Sequence, residues 1–241
     1  MMFLKAVSAA RLEGVITTDL ALYLSAHDTD SYPGSGSTWT DLSTNANNAT
    51  LYNSPTFSSD NGGILDFDGV NDYGDDASTT GTPNGFGTGA FTIEYWVRFD
   101  NMTAFHTVYD TRRRTNFYSS NFGYSDYINP SNDTFNVYRN TATIFTSNGT
   151  LSANTWYHLV LSRTSTSTND TRFYVNNVLN KTTTIADSFT DYGNYYIGRN
   201  LETTPTYLNG QLAQLRVYKG KGLTAAEVTR NWNAHRRLYG L

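Results

Sequence analysis

Between Ile64 and Tyr73 the chain reads ILDFDGVNDY, a short strand running straight into a polar turn. Strand side chains alternate between two faces. Ile64 and Asp66 therefore point one way, and Leu65 and Phe67 the other. Gly69 supplies the positive φ that a tight turn needs. Asp68, Asn71 and Asp72 can fold their oxygens back onto backbone N–H groups, and the same oxygens are the chain's best offer to a calcium ion, which wants six to eight of them. Asx-rich turns far outnumber calcium sites, so the turn is the primary expectation.

The same period recurs along the chain. From Phe91 to Phe99 the residues Phe91, Ile93, Tyr95, Val97 and Phe99 alternate with Thr92, Glu94, Trp96 and Arg98, which makes Trp96 a cap on the polar face of a strand. Trp156–Arg163 is a second strand, and Arg172–Val175 with Val178–Thr182 forms a hairpin about Asn176-Asn177, since Asn tolerates the positive φ of a two-residue turn. Residues 210–218 form the last strand, with Ala213, Leu215 and Val217 on one face and Gln214 and Arg216 on the other. Thr79–Gly89 is too polar for core. One helix follows the last strand, over about 224–239, capped by Thr224 and Glu227 in a capping box. Its stripe of Val228, Trp232, His235 and Tyr239 is expected to pack on a sheet edge.

Aromatic residues make up 15% of the 241 and charged residues only 16%, with no internal repeat. That composition suits one large all-β domain. The net charge of −4 and the absence of a basic patch beyond Arg112–Arg114 and Arg236-Arg237 argue against nucleic acid. With no cysteine, disulfides and thiolate metal sites are excluded. No stretch has the length of a membrane span, and the first residues lack the apolar run of a signal peptide. Residues 1–18 stand apart as an N-terminal arm before a domain spanning 19–241. Phe3, Leu4, Val7 and Leu12 would line one face of a short helix in that arm and dock on a partner protein.

Several of these stretches, in order, resemble one family. Phe67–Tyr73, Phe91–Val97, Trp156–Val160 (WYHLV), Phe173–Val178 (FYVNNV), Asn209–Tyr218 and Leu223–Val228 are similar to the conserved pieces of the laminin G-like branch of the concanavalin A-like sandwiches. The resemblance implies an all-β jelly-roll sandwich of two antiparallel sheets, with the short N-terminal arm and one C-terminal helix. It raises calcium at a sandwich rim, although Ala213-Gln214 stands where that family has an acidic pair. Tyr32–Trp39 (YPGSGSTW), Pro55–Asp60 (PTFSSD) and Arg236–Leu241 (RRLYGL) resemble the laminin G-like modules of tailed-phage structural proteins. That implies a place on a virion surface or outside the cell, with capsid or tail proteins as partners through the arm, host glycan as ligand, and room for self-association.

Catalysis is not expected. The related glucanases carry paired acids on one strand, and glycosidases need two carboxylates facing the scissile bond. This chain has four Glu, namely Glu13, Glu94, Glu202 and Glu227, all scattered, and no strand is read as carrying paired acids on one face. His27, His106, His158 and His235 show no metal-ligand spacing. The most aromatic region, 105–146, is the expected binding surface: Tyr109, Phe117, Tyr118, Tyr124, Tyr127 and Tyr138 sit there with Arg112–Arg114. Tyr109, Arg113, Tyr118 and Tyr124 are its chosen ligand contacts, with an acidic glycan among the candidates. The alternatives to a glycan-binding virion module are a decoration protein without a ligand and a glycan-processing enzyme.

Overall fold

The structure, a computed structural model, describes residues 14–76, 83–112, 122–139, 142–190, 193–202 and 204–241. These residues form two eight-stranded sheets whose strand pairs are antiparallel. One sheet holds β1 (Leu20–Ser25), β4 (Thr56–Ser58), β5 (Ile64–Asp68), β7 (Phe91–Phe99), β12 (Trp156–Arg163), β13 (Thr171–Val175), β14 (Val178–Thr183) and β16 (Asn209–Lys219). The other holds β2 (Thr38–Trp39), β3 (Ala49–Tyr52), β6 (Tyr73–Asp75), β8 (Tyr109–Asp110), β9 (Ser125–Asn129), β10 (Thr134–Arg139), β11 (Ala142–Thr146) and β15 (Tyr196–Ile197). The expected jelly-roll sandwich is the fold.

The core lies between the sheets. Phe91, Ile93, Tyr95, Val97 and Phe99 enter it from β7, and Ile128, Phe135, Val137 and Ile197 from the facing sheet. Phe86 joins them, stacked on Phe91 with centroids 4.4 Å apart, so the stretch expected to be too polar for core does contribute to it. Register with β7 shifts between Leu212 and Gln214 of β16. A bulge of this kind sends one residue to the opposite face. Ala213 accordingly packs outside with Ile64, Trp96 and Tyr239, while Leu212 and Leu215 stay in the core. This corrects the expectation that Ala213 shares a face with Leu215.

The C-terminal helix, α1 (Ala225–His235), has the expected capping box between Thr224 and Glu227 and continues as a 3₁₀ turn over Arg236–Tyr239. It covers the outer face of the β7 sheet rather than its edge. Trp96 stacks on Trp232 at 5.3 Å and on Tyr239 at 4.3 Å, while Val228 packs with Tyr23, Val160, Tyr174 and Tyr218. The polar residues beneath the helix are thereby sealed from water. Glu94 accepts from His158 Nε2 at 2.8 Å and Arg216 Nη1 at 2.7 Å through Oε1, and from Asn231 Nδ2 at 2.7 Å through Oε2.

The sandwich begins earlier than its expected boundary after Thr18. Val15 and Ile16 are buried, Ile16 N donates to Asn231 Oδ1 at 2.8 Å, and Tyr218 Oη donates to the Ile16 carbonyl at 3.0 Å. Among the described residues, then, 14–18 belong to the sandwich. The anchors expected further back, Phe3, Leu4, Val7 and Leu12, lie outside the described residues.

Candidate functional site

The outer face of the β9 sheet carries an open cleft of about 280 Å³. Alternation builds its floor. Tyr124, Asp126 and Ile128 turn inward, so Ser125 and Tyr127 turn outward, and β10 pairs Tyr138 with Ser125 and Asn136 with Tyr127. Phe105, 45% exposed, lies 5.8 Å from Tyr127, which meets Tyr138 edge-on at 6.3 Å. Thr143 Oγ1 fixes the Tyr127 hydroxyl at 2.6 Å.

Arg112 closes the inner end of the cleft. Its Nε and Nη2 donate to Asp110 Oδ2 at 2.9 and 2.7 Å, and its Nη1 donates to Glu202 Oε1 at 2.5 Å. The guanidinium also lies 5.2 Å from the Tyr138 ring centre. Burial works against its charge, but Asp110 and Glu202 outweigh burial and hold the Arg112 pKa above its ordinary value. Asn200 Oδ1 accepts from Glu202 N at 3.3 Å and Thr206 N at 3.0 Å, which ties down the turn that forms the opposite wall. The result is three aromatic rings around a fixed charged pair, which suits an amphipathic ligand with flat apolar faces and polar edges.

Two of the expected contacts are corrected. Tyr109 and Tyr124 are 0% exposed, 6.2 Å apart, and packed between the sheets, with Tyr109 Oη donating to Asn84 Oδ1 at 2.5 Å. Neither can present a ring to a ligand. Arg113 and Tyr118 lie outside the described residues. The residues that do line the cleft, Tyr127, Tyr138 and Arg112, belong to the aromatic region singled out in the sequence but were not chosen from it. The strand parity of Tyr127, opposite to Ile128, was the available signal.

The turn after β5 has its expected form. Asp68 Oδ1 accepts from Val70 N at 2.8 Å, Asn71 N at 3.1 Å and Asp72 N at 3.3 Å, and Asp72 Oδ2 accepts from Asp68 N at 3.1 Å. Partial burial acts to raise the Asp68 pKa, but the amides prevail and lower it. Gly69 has φ 74°. The Asp68 and Asp72 carboxylates considered for calcium thus already hold backbone donors, and among the described residues no group of three or more His, Cys, Asp or Glu side chains converges on a metal position. β5 does place Asp66 and Asp68 on one face, contrary to the expectation of no such pair. Asp66 is taken up by Gln211 Nε2 at 2.9 Å and Asp68 by the turn.

Residues 68–229 match the family model of the concanavalin A-like lectin/glucanases superfamily. The chain belongs to that superfamily. Comparison with curated protein sequences returns no match. Among solved structures, this superfamily member is similar to the Trypanosoma rangeli sialidase in complex with sialic acid, at 16% identity and a TM-score of 0.65, over 93% of this chain and 34% of the sialidase. It is also similar to the binding domain of botulinum neurotoxin serotype G, at 14% identity and a TM-score of 0.62, over 89% of this chain and 51% of that one. The chain thus spans a third and a half of these neighbours, and at such identities the likeness concerns the fold.

Proposed function

We propose that the chain is a non-catalytic carbohydrate-binding module and that the cleft over β9 and β10 holds the sugar. The observation that carries this reading is the set of three aromatic rings, Phe105, Tyr127 and Tyr138, at the mouth of a cleft whose inner end is the Arg112–Glu202 pair. Ring faces stack on the apolar faces of sugars, and the paired charges orient hydroxyl groups. Hydrolysis would need two carboxyl groups facing the glycosidic bond. Here Asp110 is fully buried against Arg112, which leaves Glu202 as the accessible carboxylate among the described lining residues. The sialidase that shares this fold is in complex with sialic acid, which agrees with a carbohydrate ligand.

Screening the protein against an array of bacterial and algal polysaccharides should identify a ligand. Tyr127→Ala and Phe105→Ala should each weaken it about tenfold with the melting temperature unchanged, and no reducing ends should appear on incubation. The reading fails if no polysaccharide binds, or if steady turnover appears and is lost in Glu202→Gln.

We place the module on a virion, by the resemblance of 32–39, 55–60 and 236–241 to phage structural modules, with Phe3, Leu4, Val7 and Leu12 docking on a capsid or tail subunit. Each such side chain contributes about 1.5–3 kcal/mol when buried. Because Val15 and Ile16 belong to the sandwich, deleting Met1–Glu13 should leave the melting temperature within a few degrees and abolish incorporation into particles. Extending the deletion through Ile16 should lower the melting temperature. A Met1–Glu13 deletion that assembles like the intact chain would rule out the arm as the anchor.

A further inference from the structure

On the same outer face as the cleft, three tyrosines gather round one arginine and a fourth stacks on one of them. The Arg199 guanidinium lies 4.5 Å from the Tyr73 ring centre, 5.6 Å from Tyr196 and 5.9 Å from Tyr207. Tyr52 stacks on Tyr73, with centroids 4.7 Å apart and planes within 11°. Strand register creates the group: Tyr52 pairs with Tyr73 across β3 and β6, and Tyr196 pairs with Asp75 across β6 and β15. Leu51 and Ile197 take the alternate positions and enter the core, so these tyrosines face outward.

The cluster is pre-ordered. Tyr52 is 36% exposed, though its ring is held parallel to Tyr73. Arg199 makes one hydrogen bond among the described residues, a long one from Nε to the Asn200 carbonyl at 3.4 Å. Its two terminal nitrogens, without a hydrogen bond among the described residues, form a donor fork beside the rings. Flat ring faces beside such a fork meet the two needs of a sugar ring, whose C–H face stacks and whose oxygens accept.

Geometry joins this platform to the cleft. β15 pairs with β8 through Tyr196 and Asp110, and β8 pairs with β9 through Asp110 and Ser125, so both groups lie along one row. From β6 to β10 the order runs β6–β15–β8–β9–β10, and at about 4.8 Å per strand that is roughly 19 Å. A single turn borders both groups, with Arg199 at the platform and Glu202 and Thr206 in the cleft. Charge then selects the ligand. Asp75 lies near enough to act on the charge of Arg199, Arg112 is paired with Asp110 and Glu202, and the whole chain carries −4. A chain of uronates or sialates would meet these carboxylates and a net negative protein, which disfavours it.

We propose that Tyr52, Tyr73 and Arg199 form a second sugar subsite, and that the outer face of this sheet binds an extended, uncharged oligosaccharide running from the cleft to that platform. The proposal rests on the cleft being a sugar site and deepens that reading.

Calorimetric titration with cello-, laminari-, malto-, xylo- and manno-oligosaccharide ladders, and with oligogalacturonides as the acidic arm, tests it on the full chain. In the ladder that binds, affinity should climb with length. Tyr73→Ala and Arg199→Ala should remove about tenfold or more of the affinity for the long members and leave the shortest binding member at its original affinity. Tyr127→Ala should weaken short and long members alike. The milder Tyr52→Ala and Arg199→Lys, with melting temperatures recorded, separate loss of contact from loss of fold. Long-chain affinity unchanged in Tyr73→Ala and Arg199→Ala would overturn the platform and leave the cleft reading intact. Preference for oligogalacturonides would overturn the uncharged ligand, and binding of no ladder at all would overturn platform and cleft together.

Discussion

Replacing Glu94 by alanine should cost the fold about 3–5 kcal/mol, because it strips a buried cation of its counter-charge. Glu94 is 1% exposed and Arg216 is 0% exposed, and they meet at 2.7 Å beneath α1. What remains around Arg216 is the Tyr23 hydroxyl at 3.2 Å, the Gln214 carbonyl oxygen and His235 Nδ1 at 3.3 Å, none of them an anion. Asn231 would lose one of its two acceptors as well, keeping only the Tyr218 hydroxyl, and Asn231 is the residue that holds Ile16 to the helix. One substitution thus loosens the N-terminal segment, the helix and the sheet together. Glu94→Gln, which keeps the shape and one acceptor, should cost less. Burial opposes ionisation of Glu94, but Arg216, His158 and Asn231 overcome it and hold the pKa at about 2 rather than 4.5. A lowered folded-state pKa contributes stability that is complete above about pH 4.5 and lost as pH falls towards 2, on the order of 3 kcal/mol. Urea melts near neutral pH measure the substitution directly. A loss below about 1 kcal/mol for Glu94→Ala would show that the helix is held by its apolar stripe alone.

The strands that could be read directly are those whose periodicity is undiluted. Phe91–Phe99 and Trp156–Arg163 have the bounds expected of them, and Thr224 caps the helix because capping is local chemistry. The hairpin turn at Asn176-Asn177 takes φ of 50° and 65°, as its length requires. What escaped the sequence depends on distant partners. Glu94 is one of four scattered glutamates until the fold brings His158, Arg216 and Asn231 around it. The helix stripe of Val228 and Trp232 was legible, but not which surface it covers, since a sheet face made of Glu94, Trp96, His158 and Arg216 looks solvent-facing. The aromatic region read from the sequence contains the cleft, but two of the tyrosines chosen from it, Tyr109 and Tyr124, are core. Tyr124 has the parity of Ile128 and is core, while Tyr127 has the opposite parity and lines the cleft. Two-residue strands such as β8 and β15 carry too little pattern to fix their bounds: the sequence suggests strands over 106–110 and 195–198, and the paired segments are only Tyr109–Asp110 and Tyr196–Ile197.

Replacing Asp126 by asparagine should raise stability above neutral pH and change it little in mild acid. Asp126 is fully buried between the sheets, where Oδ1 accepts from Val108 N at 2.8 Å and Tyr109 N at 3.1 Å and Oδ2 accepts from the Tyr95 hydroxyl. Burial is the largest influence on this carboxyl; the hydrogen bonds favour its anion but do not match the desolvation, and the pKa is pushed up to about 7 from 3.8. The sign is opposite to that of Glu94. Between those two values the unfolded chain has released the proton and the folded chain still holds it, so stability falls as pH rises. The full loss is on the order of 4 kcal/mol by about pH 8, or roughly 10 °C in melting temperature for a domain of this size. Asparagine keeps the Oδ1 acceptor for both amides and carries no charge to desolvate. Its melting temperature should therefore stay flat from about pH 4 to pH 8, while that of the intact chain declines across the same range and ends below it. The Glu94 window lies lower on the pH scale, so the two effects separate in a single titration. Parallel melting curves for the two proteins would mean that Asp126 is ionised throughout, its charge stabilised in the core by Tyr95 and the two amides.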